Sequence, residues 1–315
     1  MSLFRPYKYK SRPDLESNAP VKHGFFLFFE LFFRKIWRFI TLNIYYFLVT
    51  LPMLIMVYFT INGYFADQLI SESGEFLDML PGIGIFASVV SFIPQFLHTP
   101  LLILSMILYG PATMGLTYIF RNFAREEHAW MSDFVSRALS NFKQGLFFGI
   151  LDIVVVWLLA NGILGDFTFN VAAFGIVVKT LSVIALIVYL FMRHYFYTIA
   201  VTVNLSCFAI LKNSWYFVVL GFWRNLWAGF VCLLALVVCF FTLPLISLIT
   251  LPLLFYSFTG FAVVFTCYPV VKKYIIVPAL EQEAAAKGET VEIEAENEAV
   301  ETEEPEETEE PEEDN

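Results

Sequence analysis

Apolar runs separated by short polar segments dominate the chain. Six of them, 39–60, 99–120, 145–164, 171–192, 226–246 and 251–271, are long enough to cross about 30 Å of hydrocarbon at about 1.5 Å of helical rise per residue. The pattern predicts an all-α polytopic membrane protein with six transmembrane helices plus interfacial helices. Ahead of the first run, residues 22–38 place Glu30, Arg34 and Arg38 at i, i+4 and i+8 on one face, with Lys35 beside them and seven aromatic residues covering the rest. That segment reads either as a helix lying in the membrane interface or as an extension of the first span. Two further apolar stretches are shorter. Residues 80–92, bounded by Pro81 and Pro94, fit an interfacial or re-entrant segment. Residues 195–211 are apolar enough to consider as a span, but one there would move Lys212, Arg224, Lys272 and Lys273 to the opposite face, so 193–224 is read as a cytoplasmic-side or interfacial helix.

Composition agrees with this pattern and refines it. Hydrophobic residues make up 58% of the chain and aromatic residues 18%, far above soluble norms. The net charge of −10 misleads, since 17 of the 29 acidic residues lie from Glu281 onward against one lysine. Residues 281–315 are read as a disordered acidic tail, whereas residues 1–280 carry a net charge of +6. The organisation is then a polar N-terminus at 1–21, expected to be retained without a signal peptide, a six-span membrane domain at 22–280 with its N-terminal interfacial helix, and the tail. Every Lys or Arg outside a predicted span falls before the first span, in the second or fourth connection, or after the sixth; the other three connections hold none. The positive-inside rule therefore places both termini in the cytoplasm.

Polar positions inside apolar sequence are the candidates for function. Pro111 follows Gly110 midway along the second run, removes a backbone donor and predicts a kink near Thr113, read either as packed or as a polar notch. Asp152 and Lys179 are the ionisable residues within the predicted spans; they are close enough in expected depth either to pair or for Lys179 to snorkel outward while Asp152 bonds a neighbouring helix. Ser132 is a plausible N-cap for a surface helix at 133–144. The four histidines are scattered, Glu126-Glu127-His128 reads as a solvated loop, and the four cysteines sit singly in apolar sequence, so no metal or cofactor is expected. No nucleophile–base constellation and no phosphate-binding glycine loop is present, so no enzyme is expected, and nothing points to nucleic acid.

Two stretches carry a family resemblance: GPATMGLTYIFRNF from Gly110, and SDFVSRALSNFKQGLFFGIL from Ser132. Together with Trp37, Asn43 and Thr50-Leu51-Pro52 in the first span, and Ile210-Leu211-Lys212-Asn213-Ser214, they resemble the YesL-like family of bacterial integral membrane proteins, a family of unknown biochemical function. The resemblance covers roughly residues 32–271. It departs from the family pattern in the long connection at 61–98 and in the acidic tail. It implies a multi-pass protein of the bacterial cytoplasmic membrane. It also implies an auxiliary or transport-linked role in carbohydrate uptake, because genes of the family often stand beside carbohydrate-uptake and sugar-sensing genes. The alternative is a membrane scaffold or sensor subunit that recruits partners. Expected partners are the lipid bilayer and transporter or sensor subunits. Asn43 and Asn213 join Gly110, Pro111, Thr113, Asp152 and Lys179 as candidate polar positions.

Overall fold

The computed structural model describes residues 24–69, 95–165, 172–239 and 249–279. These are helical almost throughout, with no strand among them. The helices are α1 (Gly24–Arg34), α2 (Ile36–Leu69), α3 (Gln95–Ala124), α4 (Met131–Ser140), α5 (Phe142–Leu164), α6 (Ala172–Ala200), α7 (Cys207–Leu220), α8 (Phe222–Val237) and α9 (Tyr256–Val271), the last entered through a π-helical turn at Leu251–Phe255. Five segments are long and apolar enough to cross a membrane; α7 and α8 pass the same test only when taken together, and that pair is bent by 91°. The chain is an all-α, multi-pass membrane protein. It divides into two units, Met1–Val271 and Lys272–Asn315. In the second, the described residues form a π-helical turn at Lys272–Ile276 and one further helical turn, with the Lys273 ammonium over the neighbouring Tyr274 ring.

Helix α3 is the centre of the first unit and packs against α2, α4, α5, α6 and α9. Its apolar window is 56% buried, against 17% for α5 and 11% for α6. The tightest contact is between α3 and α5. A Cβ on Gly110 would fall on the Gly145 carbonyl, one on Gly145 would lie 2.8 Å from the Pro111 Cα, and one on Gly149 would lie 2.8 Å from the Gly110 Cα. Gly145 and Gly149 are thus a small-xxx-small pair that lets two backbones touch, the usual means of helix association where lipid removes the hydrophobic driving force. Beside Pro111 the Gly145 backbone fills the groove next to Gly110, so this face of the helix is packed rather than left as an open notch. Helix α3 runs unbroken through Pro100 and Pro111.

The segment at 22–38 is neither a simple extension nor one continuous helix. Phe28 stacks on Phe261 at 5.2 Å and Phe39 meets the same ring at 4.9 Å. Eleven residues of straight helix would separate them by roughly 16 Å. The chain therefore folds back at Lys35, the non-helical residue between α1 and α2, and α1 packs on α9 through Phe28 and Phe32. Phe28, Phe32, Phe39, Phe120, Phe123 and Phe261 form one aromatic core. At the fold-back, Lys35 donates to the Glu127 carbonyl at 3.3 Å and lies over the Phe123 ring. Partial burial first, and then the charges of Arg34 and Arg38, lower its pKa from 10.5 to about 8.

Elsewhere the helix boundaries depart from expectation for local reasons. Helix α4 starts at Met131 rather than after Ser132, because the Asp133 carboxylate accepts the Trp130 backbone N–H at 2.8 Å. It ends at Ser140, and a break at Asn141 starts α5. Helix α6 runs eight residues past the expected end of the fourth span, carrying Arg193 inside a helix rather than in a connection. Of the segment 193–224, residues 193–200 complete α6, and α7 is set at a right angle to α8. The bend is held by Asn225, fully buried, whose Nδ2 donates to the Phe217 and Val218 carbonyls at 3.1 and 3.3 Å. Residues 61–69 of the first outer connection belong to α2 and 95–98 to α3; the expected interfacial or re-entrant segment at 80–92, the N-terminus 1–21 and the tail lie outside the described residues.

Replacing Gly145 or Gly149 by leucine is expected to destabilise the protein by about 1–3 kcal/mol through overpacking against the α3 backbone. Gly24→Ala, with nothing within 4 Å, should stay within about 0.5 kcal/mol; denaturant unfolding in detergent measures both. Lys35 should acylate with a half-maximal rate near pH 8 rather than 10.5. Because its folded-state pKa is the lower one, the unfolded chain binds more protons between these values. Stability should therefore rise slightly as pH increases from about 8 to 10.5, and Lys35→Met should abolish that rise.

Candidate functional site

Helix α5 is apolar nearly all round, and its one acidic residue, Asp152, has a side chain only 3% exposed. An isolated carboxylate there would be costly, so the surroundings must supply charge and donors. Helix α6 supplies most of them from one face, since Tyr189, Arg193 and Tyr197 are spaced at i, i+4 and i+8. Arg193 Nε donates to Asp152 Oδ2 at 2.8 Å, Tyr197 Oη to the same oxygen at 2.9 Å, and Tyr189 Oη to Oδ1 at 2.6 Å. Helix α3 adds Tyr109, whose hydroxyl accepts from Arg193 Nη2 at 2.7 Å and reaches Asp152 Oδ2 at 3.3 Å. The glycine contact positions this fourth group: Tyr109 immediately precedes Gly110, and Asp152 lies just under one turn beyond Gly149.

The cluster continues toward α2. Thr113 Oγ1 donates to the Tyr109 carbonyl at 2.8 Å, which leaves it to accept from Tyr46 Oη at 2.9 Å. Polar groups thus run from α2 through α3 to α5 and α6 within otherwise apolar surroundings. The ion pair and its phenols neutralise one another. What is left over belongs to Arg193, whose side chain is 29% exposed and whose Nη1 makes no hydrogen bond among the described residues. Chemically, the cluster is a buried carboxylate held by a guanidinium and phenol hydroxyls, with the Arg193 edge as its partly exposed group and Phe148 and Phe196 stacked at 4.8 Å beside it.

Of the sequence candidates, Asp152, Gly110, Pro111 and Thr113 come together here. Lys179 does not join them. The contacts Asp152–Arg193 and Gly162–Ser182 set the α5–α6 register, and Lys179 lies 14 residues from Arg193, roughly 21 Å along α6. The considered Asp152–Lys179 pair is therefore replaced by Asp152–Arg193: the longer α6 slides Arg193, not Lys179, to the depth of Asp152, and Lys179 is exposed on the protein. Asn43 serves elsewhere. Fully buried, it donates to the Leu251 carbonyl and accepts the Ser257 backbone N–H, both at 2.8 Å, joining backbone groups on either side of the π-helical turn at Pro252. Asn213 is half-buried on α7, away from the cluster. Sequence reading passed over Arg193, Tyr189 and Tyr197, although their four-residue spacing was visible; a boundary placed at residue 192 put two of the three in a connection. Glu126 and Glu127 are turned to Arg34 and Arg125, at 2.9 and 2.8 Å.

No protein-family profile, no curated protein and no solved structure matches this chain.

Removing one member of the ion pair leaves a buried charge. Arg193→Met is expected to destabilise the protein by about 3–5 kcal/mol, while Arg193→Met combined with Asp152→Asn should recover most of the loss. Unfolding of the three proteins in one detergent compares them directly.

Proposed function

We propose that this chain is a YesL-like protein of the bacterial cytoplasmic membrane, with both termini in the cytoplasm, and that it acts as an auxiliary or transport-linked component of carbohydrate uptake. The observation that carries the reading is the Asp152–Arg193–tyrosine cluster, a polar group set within the bundle with part of its guanidinium uncommitted. Buried ion pairs contribute little net stability and are costly inside lipid, so packing alone is a poor reason to keep one. Carboxylate, guanidinium and phenol beside aromatic rings are the groups that bind vicinal hydroxyls and sugar faces. The resemblance around Gly110 and Ser132 supports the carbohydrate class, and the one-sided distribution of Lys and Arg supports the orientation.

A second reading, a scaffold or sensor subunit that recruits partners, draws on α5 and α6. These helices leave most of their apolar surface uncovered by the rest of the chain, room for lipid or for a partner's spans.

Uptake of labelled mono- and oligosaccharides by cells lacking the protein tests the first reading. Wild type should restore uptake, and Asp152→Asn/Arg193→Met should not, at equal abundance in the membrane. Full restoration by the double variant would remove the cluster from any transport role, and unchanged uptake in the deletion strain would leave partner recruitment as the better account.

A further inference from the structure

The fold-back between α1 and α2 meets the turn between α3 and α4 in a corner crowded with charge. The acidic groups there are already taken: Glu126 Oε2 by Arg34 at 2.9 Å, Glu30 by Arg34 at 3.8 Å, and Glu127 by Arg125 at 2.8 Å. Lys35 and Arg38 are left without a carboxylate at ion-pair distance among the described residues. Their partners are neutral: Lys35 has the Glu127 carbonyl at 3.3 Å and the Phe123 ring at 4.3 Å, and Arg38 has the Ala129 carbonyl at 3.3 Å and the Trp130 ring at 5.7 Å. Arg34, Lys35, Arg38 and Arg125 thus face only Glu30, Glu126 and Glu127 among the described residues, so the corner keeps one positive charge in excess, and the half-buried Lys35 and Arg38 are its cations without a carboxylate contact. Burial first, and then the charges of Arg34 and Arg38, lower the Lys35 pKa, with Glu126 opposing them.

The surroundings indicate what supplies that counter-charge. Lys35 immediately precedes the apolar segment Ile36–Leu54, and Glu127 and Ala129 closely follow Thr99–Ala124, so the corner stands where two membrane-crossing segments end. Trp130 lies under the Arg38 guanidinium and is 67% exposed, and the adjoining chain exposes Phe33 and Trp37 at 64 and 79%. Indole rings beside basic residues at the end of a span match the headgroup layer, apolar on one side and anionic on the other. A solvated acidic peptide would gain little from such exposed rings.

We propose that Lys35 and Arg38, with Trp130 against the guanidinium, form a binding site for the headgroup phosphate of an anionic glycerophospholipid. The phosphate lies between the ammonium and the guanidinium, and the acyl chains run down beside the exposed rings. The site is independent of the Asp152 cluster.

Native mass spectrometry and thermal unfolding of the full chain test the assignment, with phosphatidylglycerol, phosphatidylcholine, inorganic phosphate or a synthetic peptide of residues 289–315 added to the same detergent. Phosphatidylglycerol should be retained selectively and raise the Tm. Lys35→Gln/Arg38→Gln should weaken its retention about 30-fold, two basic residues at about 1 kcal/mol each with 1.4 kcal/mol per factor of ten. Arg137→Gln, which removes a cation bonded to Tyr118, should leave retention unchanged. Equal retention of the two lipids by wild type overturns the proposal, a measurement that needs no variant to fold. Undiminished selectivity in the double variant overturns it as well. If phosphate alone, or the acidic peptide, reproduces the Tm shift, the site binds an anion or a polypeptide rather than a lipid.

Discussion

Backbone contact between α3 and α5 is the constraint on which the rest depends. Three glycines, Gly110, Gly145 and Gly149, remove the side chains that would hold the two helices a normal interaxial distance apart. Only at that separation does Tyr109 reach across to Asp152 and Arg193. The same helix α3 then receives α2 through Tyr46 and Thr113, α4 at Gly115, where a Cβ would press on the Phe134 carbonyl, and α9 where Gly260 admits the Phe120 ring. Small residues along the helices meeting at α3 thus set where each neighbour can sit, and the bulky aromatic core fills what is left.

At two interruptions of the helical ladder a fully buried asparagine takes over the exposed backbone groups, as a surrounding without water requires. Asn43 does so at the π-helical turn before α9, with Ser257 bonded to the Phe39 carbonyl beside it. Asn225 does so at the elbow between α7 and α8. Threonines and serines bond back along their own helices at Thr50, Thr113, Thr117, Thr198 and Ser214. Asn43 and Asn225 therefore read as structural keystones, and the Asp152 cluster differs from them in binding side chains rather than mending backbone.

The apolar runs were legible in the sequence because span length and hydrophobicity are properties of single segments, and the expected spans at 39–60, 99–120, 145–164 and 251–271 fall within, or nearly coincide with, observed helical segments. What sequence could not show is register between segments. Asp152 was visible as an oddity, but its partner depended on how far α6 continues and on the glycine contact, both tertiary facts. Arg193 misled for a second reason. Counting it among the loop cations helped the orientation argument, and that use concealed its place on one face with Tyr189 and Tyr197. The fold-back at Lys35 was likewise unreadable: an amphipathic aromatic segment has the same pattern whether it continues a span or doubles back on it, and only the shared contact of Phe28 and Phe39 with Phe261 decides.

The ion pair also bears on how this protein is made. Asp152 and Arg193 lie on consecutive helices joined by a short connection, and each alone within its span would add up to about 2.5–3.5 kcal/mol to the cost of entering the bilayer. Together they are neutral. During synthesis α5 is ready first, with its carboxylate unanswered, and α6 brings the guanidinium some forty residues later, within the reach of one helical hairpin. The two helices are therefore best inserted as a unit, so that the order of partitioning into lipid is written into the position of a single arginine.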